Sequence, residues 1–219
     1  MNILYGGIQT VIIFSLVVFT EKLFKREGLY VWLSIATILA NLTVCKMIDV
    51  FDYTTSLGNV LFASTFLATD IMSEKYSKKD AKKGVYISIF SGIVFIIITQ
   101  LTLLFIPSND DVVNEAMKTL FSISIRTITA SMVMFFVSNM ADIYLYNKLK
   151  KKYPNKLWLR NNVSTILCNC IENYFFNTLA FIGIFPMSVI LSIATTTTII
   201  EIIIALCDTP FLYFSKKLN

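Results

Sequence analysis

Histidine is absent from this chain of 219 residues. Ser-His-Asp and Cys-His catalysis are therefore excluded, and so are most zinc sites, which draw on imidazole. Glycine is scarce at seven residues, and none of them builds a phosphate-cradling loop, so the sequence carries no ATPase motif. Charge is thin as well: 15% of residues are Asp, Glu, Lys or Arg, against about 25% in soluble domains. The cysteines Cys45, Cys168, Cys170 and Cys207 all fall in apolar runs. Cys168 and Cys170 stand two apart and point about 200° apart on a helix. They make neither a CxxC pair nor a metal knuckle and read as small packing residues. No cofactor is implied, and no enzyme is expected.

What the chain has is apolar length. It is 56% hydrophobic and holds 18 Phe. A membrane-crossing helix needs about 20 mostly apolar residues, and seven runs qualify: 2–20, 29–47, 57–74, 84–106, 119–147, 161–183 and 187–214. The first lacks a basic n-region and an A-x-A-like cleavage site, so it reads as a retained span. The expected fold is all-α: a polytopic membrane bundle of about seven transmembrane helices forming one domain over 1–219. Within it, 1–28 supplies an extra N-terminal helix and 29–214 a six-helix core. The core divides into two sets of three, 29–106 and 119–214, a division that permits an inverted repeat.

Charge placement gives the orientation. Of 19 basic residues, all but Lys46, Lys118 and Arg126 lie in the loops 21–27, 75–83 and 148–160 or in the tail. The alternate loops carry Asp49, Asp52, Asp110, Asp111 and Glu115. The positive-inside rule then places the N-terminus outside and the C-terminus in the cytosol. Tyr76, Tyr144, Tyr146, Tyr153, Trp158 and Tyr213 cluster at the basic ends as an interfacial aromatic belt.

Ionisable residues inside the spans carry the functional signal, because such a charge costs about 2.5–3.5 kcal/mol at mid-bilayer and normally turns to the bundle interior. In the third run, Asn59, Ala63, Phe66, Asp70 and Ser73 share one helical face. In the sixth, Asn162, Thr165, Asn169, Glu172, Asn173 and Asn177 do the same, and Glu172 sits roughly 16 Å in from Asn161, near the bilayer centre. Phe175 and Phe176 flank that face and suit stacking on a planar ligand, with lipid contact or core packing as the plainer reading. In the seventh, Thr197, Glu201, Ala205 and Asp208 align, so Glu201 is placed to approach Glu172. In the fifth, Arg126 and Asp142 stand about 24 Å apart along the axis, too far to pair. Asp70 is expected beside the lysines of the 75–83 loop. Carboxylates and amides converging at mid-membrane suggest a polar-solute site.

The blocks "FLATDIMSEKYSKKDAKK", "SNMADIYLYNKLKKK", "LWLRNNVSTI", "IENYFFNTLAFIG" and "ALCDTPFLY" resemble, in order, those of the queuosine precursor transporter family, also called vitamin uptake transporter-like. The resemblance runs from about Leu57 to Tyr213 and implies uptake of 7-deazaguanines such as preQ0, preQ1 or queuine across a bacterial inner membrane, for tRNA modification. It carries over Asp70, Glu74, Arg126, Asp142, Arg160, Asn161, Asn162 and Asp208. Two positions depart: Glu172-Asn173 stands where the family pattern has Asp-Thr, and Glu201 where some members have Lys. A guanine-like edge offers paired N–H donors that a carboxylate accepts side by side. The expected substrate site is Glu172, Asn169, Asn173, Glu201, Asp70, Arg126, Asn59, Phe176, Asp142 and Asn162. The expected partners are a small nucleobase-like solute and the bilayer, with a second copy of the chain permitted and no nucleic acid bound directly. The rival readings are a substrate-binding subunit of an ATP-driven vitamin importer, and an intramembrane enzyme using Glu172 and Glu201 as acid and base.

Overall fold

The computed structural model describes residues 1–44, 46–50, 53–121 and 125–218. Side chains at 47, 50, 53–56 and 125–128 fall outside the description. Seven helices and one short hairpin follow in order: α1 (Asn2–Thr43), β1 (Met47–Val50), β2 (Tyr53–Ser56), α2 (Gly58–Lys75), α3 (Lys78–Thr102), α4 (Asn114–Phe121), α5 (Ile125–Lys152), α6 (Leu157–Phe181) and α7 (Met187–Lys217). Helix is the outcome wherever the apolar runs are long enough to satisfy every backbone group internally, as lipid demands. By length and composition α1, α3 and α7 meet the requirement for crossing a membrane. The other long helices, α2, α5 and α6, are the more polar ones, and they carry the buried charges.

The first two expected spans are the two limbs of α1, bent at Lys25, whose φ of 55° and ψ of −138° break the helix. A non-glycine residue rarely adopts that conformation. The bend brings Gly28 against the Thr20 carbonyl, where a Cβ would sit only 2.5 Å away. The second limb ends at Thr43 rather than 47. The chain then turns through the antiparallel hairpin, in which Met47 pairs with Ser56 and Val50 with Tyr53. The expected span 119–147 likewise divides, into the short α4 and the long α5.

α2 is the central helix. It touches α1, α3, α5 and α7 and is buried nearly all round, as expected of a helix with no outward face. α1 packs along α2 and α3, and α6 joins α5 to α7. On α3, Gly84, Ser88 and Gly92 form a small-residue stripe that lets α1 approach: a Cβ on Gly84 would meet Leu33 and Tyr30 of α1 and Met72 of α2. Outside this core the bundle presents a broad apolar surface, including Phe90, Ile97, Ile98, Leu167, Phe175, Ile199, Ile203 and Leu206. Such a surface suits acyl chains rather than water.

Candidate functional site

Four helices line a polar centre. On α5, the pair Ser138 and Asn139, then Asp142, then Tyr146 recur at about one-turn intervals along one face, all buried. On α6, Asn161, Thr165, Asn169, Glu172 and Asn173 do the same, and α7 adds Glu201 and Asp208 while α2 adds Asp70. Because α5 and α6 run antiparallel across their contact, their polar rows pair off in decks.

The first deck joins the two buried glutamates. The Ser138 hydroxyl donates to Glu172 at 2.8 Å, and the Asn173 amide donates to Glu201 at 2.7 Å. Asn173 directly follows Glu172, so its bond to Glu201 sets the two glutamates on the facing sides of α6 and α7. The second deck lies about 10 Å along the bundle, seven helical residues on. There the Thr165 hydroxyl reaches Asp142 at 3.4 Å, and Asn161 donates to Asp208 and to the Thr209 hydroxyl. Asn162 donates to the same hydroxyl at 2.8 Å. Pro210, inside α7, removes a backbone donor just beyond this point. Asp70 is fully buried here. Among the described side chains no donor group reaches either of its oxygens; Asp142 of α5 and Asp208 of α7, both fully buried, are its acidic neighbours.

The centre is under-satisfied. Among the described side chains, neither amide atom of Asn169 has a hydrogen-bond partner, nor does one oxygen each of Asn139, Asp142, Asn161, Asn162 and Asp208. Buried polar groups normally find partners, so such a concentration marks room for water or a ligand.

A third deck closes the basic end. Glu74 accepts from Arg160 at 2.7 Å, Lys216 at 2.7 Å and Tyr146 at 3.1 Å, and pairs with Lys150 at 3.4 Å. It thereby ties α2 to α5, α6 and α7. Beside it, the buried Glu21 of α1 holds Lys75 at 2.9 Å and the Tyr76 hydroxyl at 2.8 Å. A cavity of about 440 Å³ opens between these groups, lined by Glu21, Lys25, Glu74, Lys75, Tyr76 and Lys216.

Most expected site residues meet in this centre: Asp70, Asp142, Asn162, Asn169, Glu172, Asn173 and Glu201 are all buried within it. Asn59 and Phe176 are half-buried, and the side chain of Arg126 lies outside the described residues. Three expectations are corrected. Asp70 does not sit beside the lysines, because Lys75, five residues on, points about 140° away around the helix and binds Glu21. Tyr146 is no belt residue; it is fully buried between Glu74 and Arg160. Phe175 turns outward, 59% exposed, so it does not flank the site. Sequence reasoning missed Glu21, Ser138 and Asn139. For Glu21 the signal was available: it continues the buried stripe Thr10, Phe14, Val17 at spacings of three and four.

Residues 56–215 match the family described as "Putative vitamin uptake transporter". The chain belongs to this family. A curated relative, "Probable queuosine precursor transporter" of Bacillus subtilis (strain 168), is 34% identical over 210 residues, which cover 95% of this chain and 92% of that one. No solved structure matches. The family match contains the first two decks whole and begins after the bent α1, so Glu21 lies outside it.

Proposed function

We propose that the protein imports a queuosine precursor, a 7-deazaguanine of the preQ0, preQ1 or queuine type, through the bacterial inner membrane with its C-terminus in the cytosol. The observation that carries this reading is the deck of Glu172, Asn173 and Glu201 with the unpartnered Asn169 amide beside it, in a chain whose curated relative bears that name. Residues 1–219 act as one transport domain, needing no partner subunit. Glu172 accepts the paired N–H groups of the base edge, Asn169 and Asn173 answer its carbonyl, and Glu201 takes a further donor or an ammonium. Phe176, half-buried on the same helix, covers the ring. Asp70, Asp142 and Asn162 line the path towards the cytosolic end, Asn59 the opposite end of α2, and Arg126 belongs to the remaining lining.

Charge-assisted hydrogen bonds contribute about 1.5–3 kcal/mol each, so Glu172→Gln should lower uptake affinity roughly 10- to 100-fold. The measurement is accumulation of labelled base in cells that lack their own carrier and any ATP-driven vitamin importer, with membrane insertion checked by immunoblot. Unchanged uptake by the variant would sink the assignment of Glu172. Absence of uptake by the wild type alone would favour a partner-dependent binding subunit instead.

A further inference from the structure

Two neighbouring carboxyl groups, Asp70 and Asp142, both fully buried, pose a chemical problem that the import reading leaves open. Both oxygens of Asp70 lack a donor, and one oxygen of Asp142 lacks one too. Like charges this close and shielded from bulk solvent cannot both persist. Among the described side chains every nearby cation is engaged elsewhere: Lys75 by Glu21 and the Ser215 carbonyl, Lys150 by Glu74 and the Ser73 carbonyl, Arg160 and Lys216 by Glu74. Among the described residues no acidic cluster has the spacing to hold a metal ion.

We propose that Asp70 and Asp142 share a single proton, with Asp208 beside them, and that loading and unloading this proton drives the transport step. The cargo in this statement rests on the import reading; the site itself rests on geometry.

A second observation points the same way. Asn169 is fully buried with both amide atoms unpartnered. It stands one turn beyond Thr165, which reaches Asp142, and one turn short of Glu172 and Asn173 on the same face of α6. With Ser138 and Asn139 opposite on α5, it bridges the aspartate deck and the glutamate deck by polar groups able to hold water. The groups facing Asp70 are Asp142 and Tyr146 from α5, Cys168 from α6, Asp208 from α7 and Glu74 from α2 itself. Arg160 of α6 lies behind Tyr146. α1 and α3 also pack on α2, but their nearest described charges face elsewhere: Glu21 binds Lys75, and Asp80 binds Arg26 and Tyr30.

The coupling is mechanical. With the proton bound, one carboxyl donates to the other and α2 closes on α5. With it gone, two negative charges face each other and push the helices apart. The proton enters from one side and leaves to the other, and no other bond is made or broken.

The experiment uses the purified full chain in proteoliposomes with a pH dye inside and labelled preQ0 as probe. PreQ0 is a neutral nitrile, so a pH gradient does not trap it by itself. Counterflow without a gradient tests the import reading. With the outside one pH unit more acidic, accumulation should rise about tenfold at one proton per base, and the dye should report acidification that depends on preQ0. Asp70→Asn and Asp142→Asn, each scaled to its own counterflow rate, should show no response to the gradient. Gradient-independent accumulation by the wild type, or a variant still driven to the same degree, would overturn the proposal. If counterflow of preQ0 fails, the import reading of this cargo fails. The infrared spectrum of the unloaded protein then decides the pair: a carboxylic acid carbonyl band present near neutral pH and lost in Asp70→Asn supports it, and no such band overturns it.

Discussion

Arg160 is 1% exposed, yet its donors are answered by the Glu74 carboxylate, the Tyr146 oxygen and the carbonyls of Tyr153 and Pro154. Removing one partner of a buried pair strands the other charge, at a cost of about 3–5 kcal/mol. Glu74→Ala should therefore lower the thermal unfolding midpoint in detergent sharply, while Lys216→Ala, which removes a half-exposed partner, should change it little. Similar midpoints for the two variants would show that Arg160 does not depend on Glu74. At this scale the sequence is informative where a residue is costly. Glu172, Glu201 and Asp70 stand out because carboxylates rarely enter apolar helices, and each proved to be buried. Their partners are less legible. Lys75 looks like a neighbour of Asp70 along the chain but turns to Glu21, 54 residues away, because helical angle and not sequence distance decides who meets whom.

The bent α1 shows how elements depend on close backbone approach. A Cβ at Gly28 would press on the Thr20 carbonyl at 2.5 Å and on Phe24 at 2.9 Å, and backbone cannot swing aside as a side-chain tip can. Gly28→Ala should destabilise by about 1–3 kcal/mol, whereas Gly7→Ala, with open space around it, should be neutral or slightly stabilising. Thermal melts of the two variants against the wild type check the contrast, and equal midpoints would mean that the bend absorbs the extra methyl. Helix existence was readable from apolar length, and so was a break between 20 and 29, but the start of the hairpin and the division of 119–147 were not. The run 29–47 stays hydrophobic past the end of α1 at Thr43, so composition alone hides the start of the hairpin. The bend falls at Lys25, inside the expected loop 21–27, but as a sharp kink between helical limbs rather than as a loop. The small-residue stripe on α3 is spaced plainly in the sequence, but only the packed helices show that it admits α1.

Across the whole molecule, ties between elements at the basic end respond to acid. Asp80 joins the α3 cap to α1 through Ser77, Tyr30 and Arg26, and chiefly the Ser77 hydroxyl holds its carboxyl below the usual carboxylate range. A depressed folded value means that its contribution is complete above the ordinary Asp value, about pH 4, and is lost as pH falls through the lower folded value. The melting difference between wild type and Asp80→Asn should thus be constant at neutral pH and vanish in strong acid; a difference that persists there would refute the link. The polar centre within an apolar shell was legible at this scale from charge alternation and helical faces, while its division into decks needed the packing of α5 on α6. That centre has a consequence for traffic in the other direction. It gathers the carboxyl groups of Asp70, Asp142, Glu172, Glu201 and Asp208, and Arg160, the one fully buried cation among the described side chains, is already engaged. A nucleoside monophosphate of the same base should then compete poorly in uptake assays, since its phosphate would have to enter among these carboxyl groups. A base that gains a phosphate or joins an RNA chain inside the cell is then retained there, because the acidic centre that admits the neutral base turns its phosphorylated forms back.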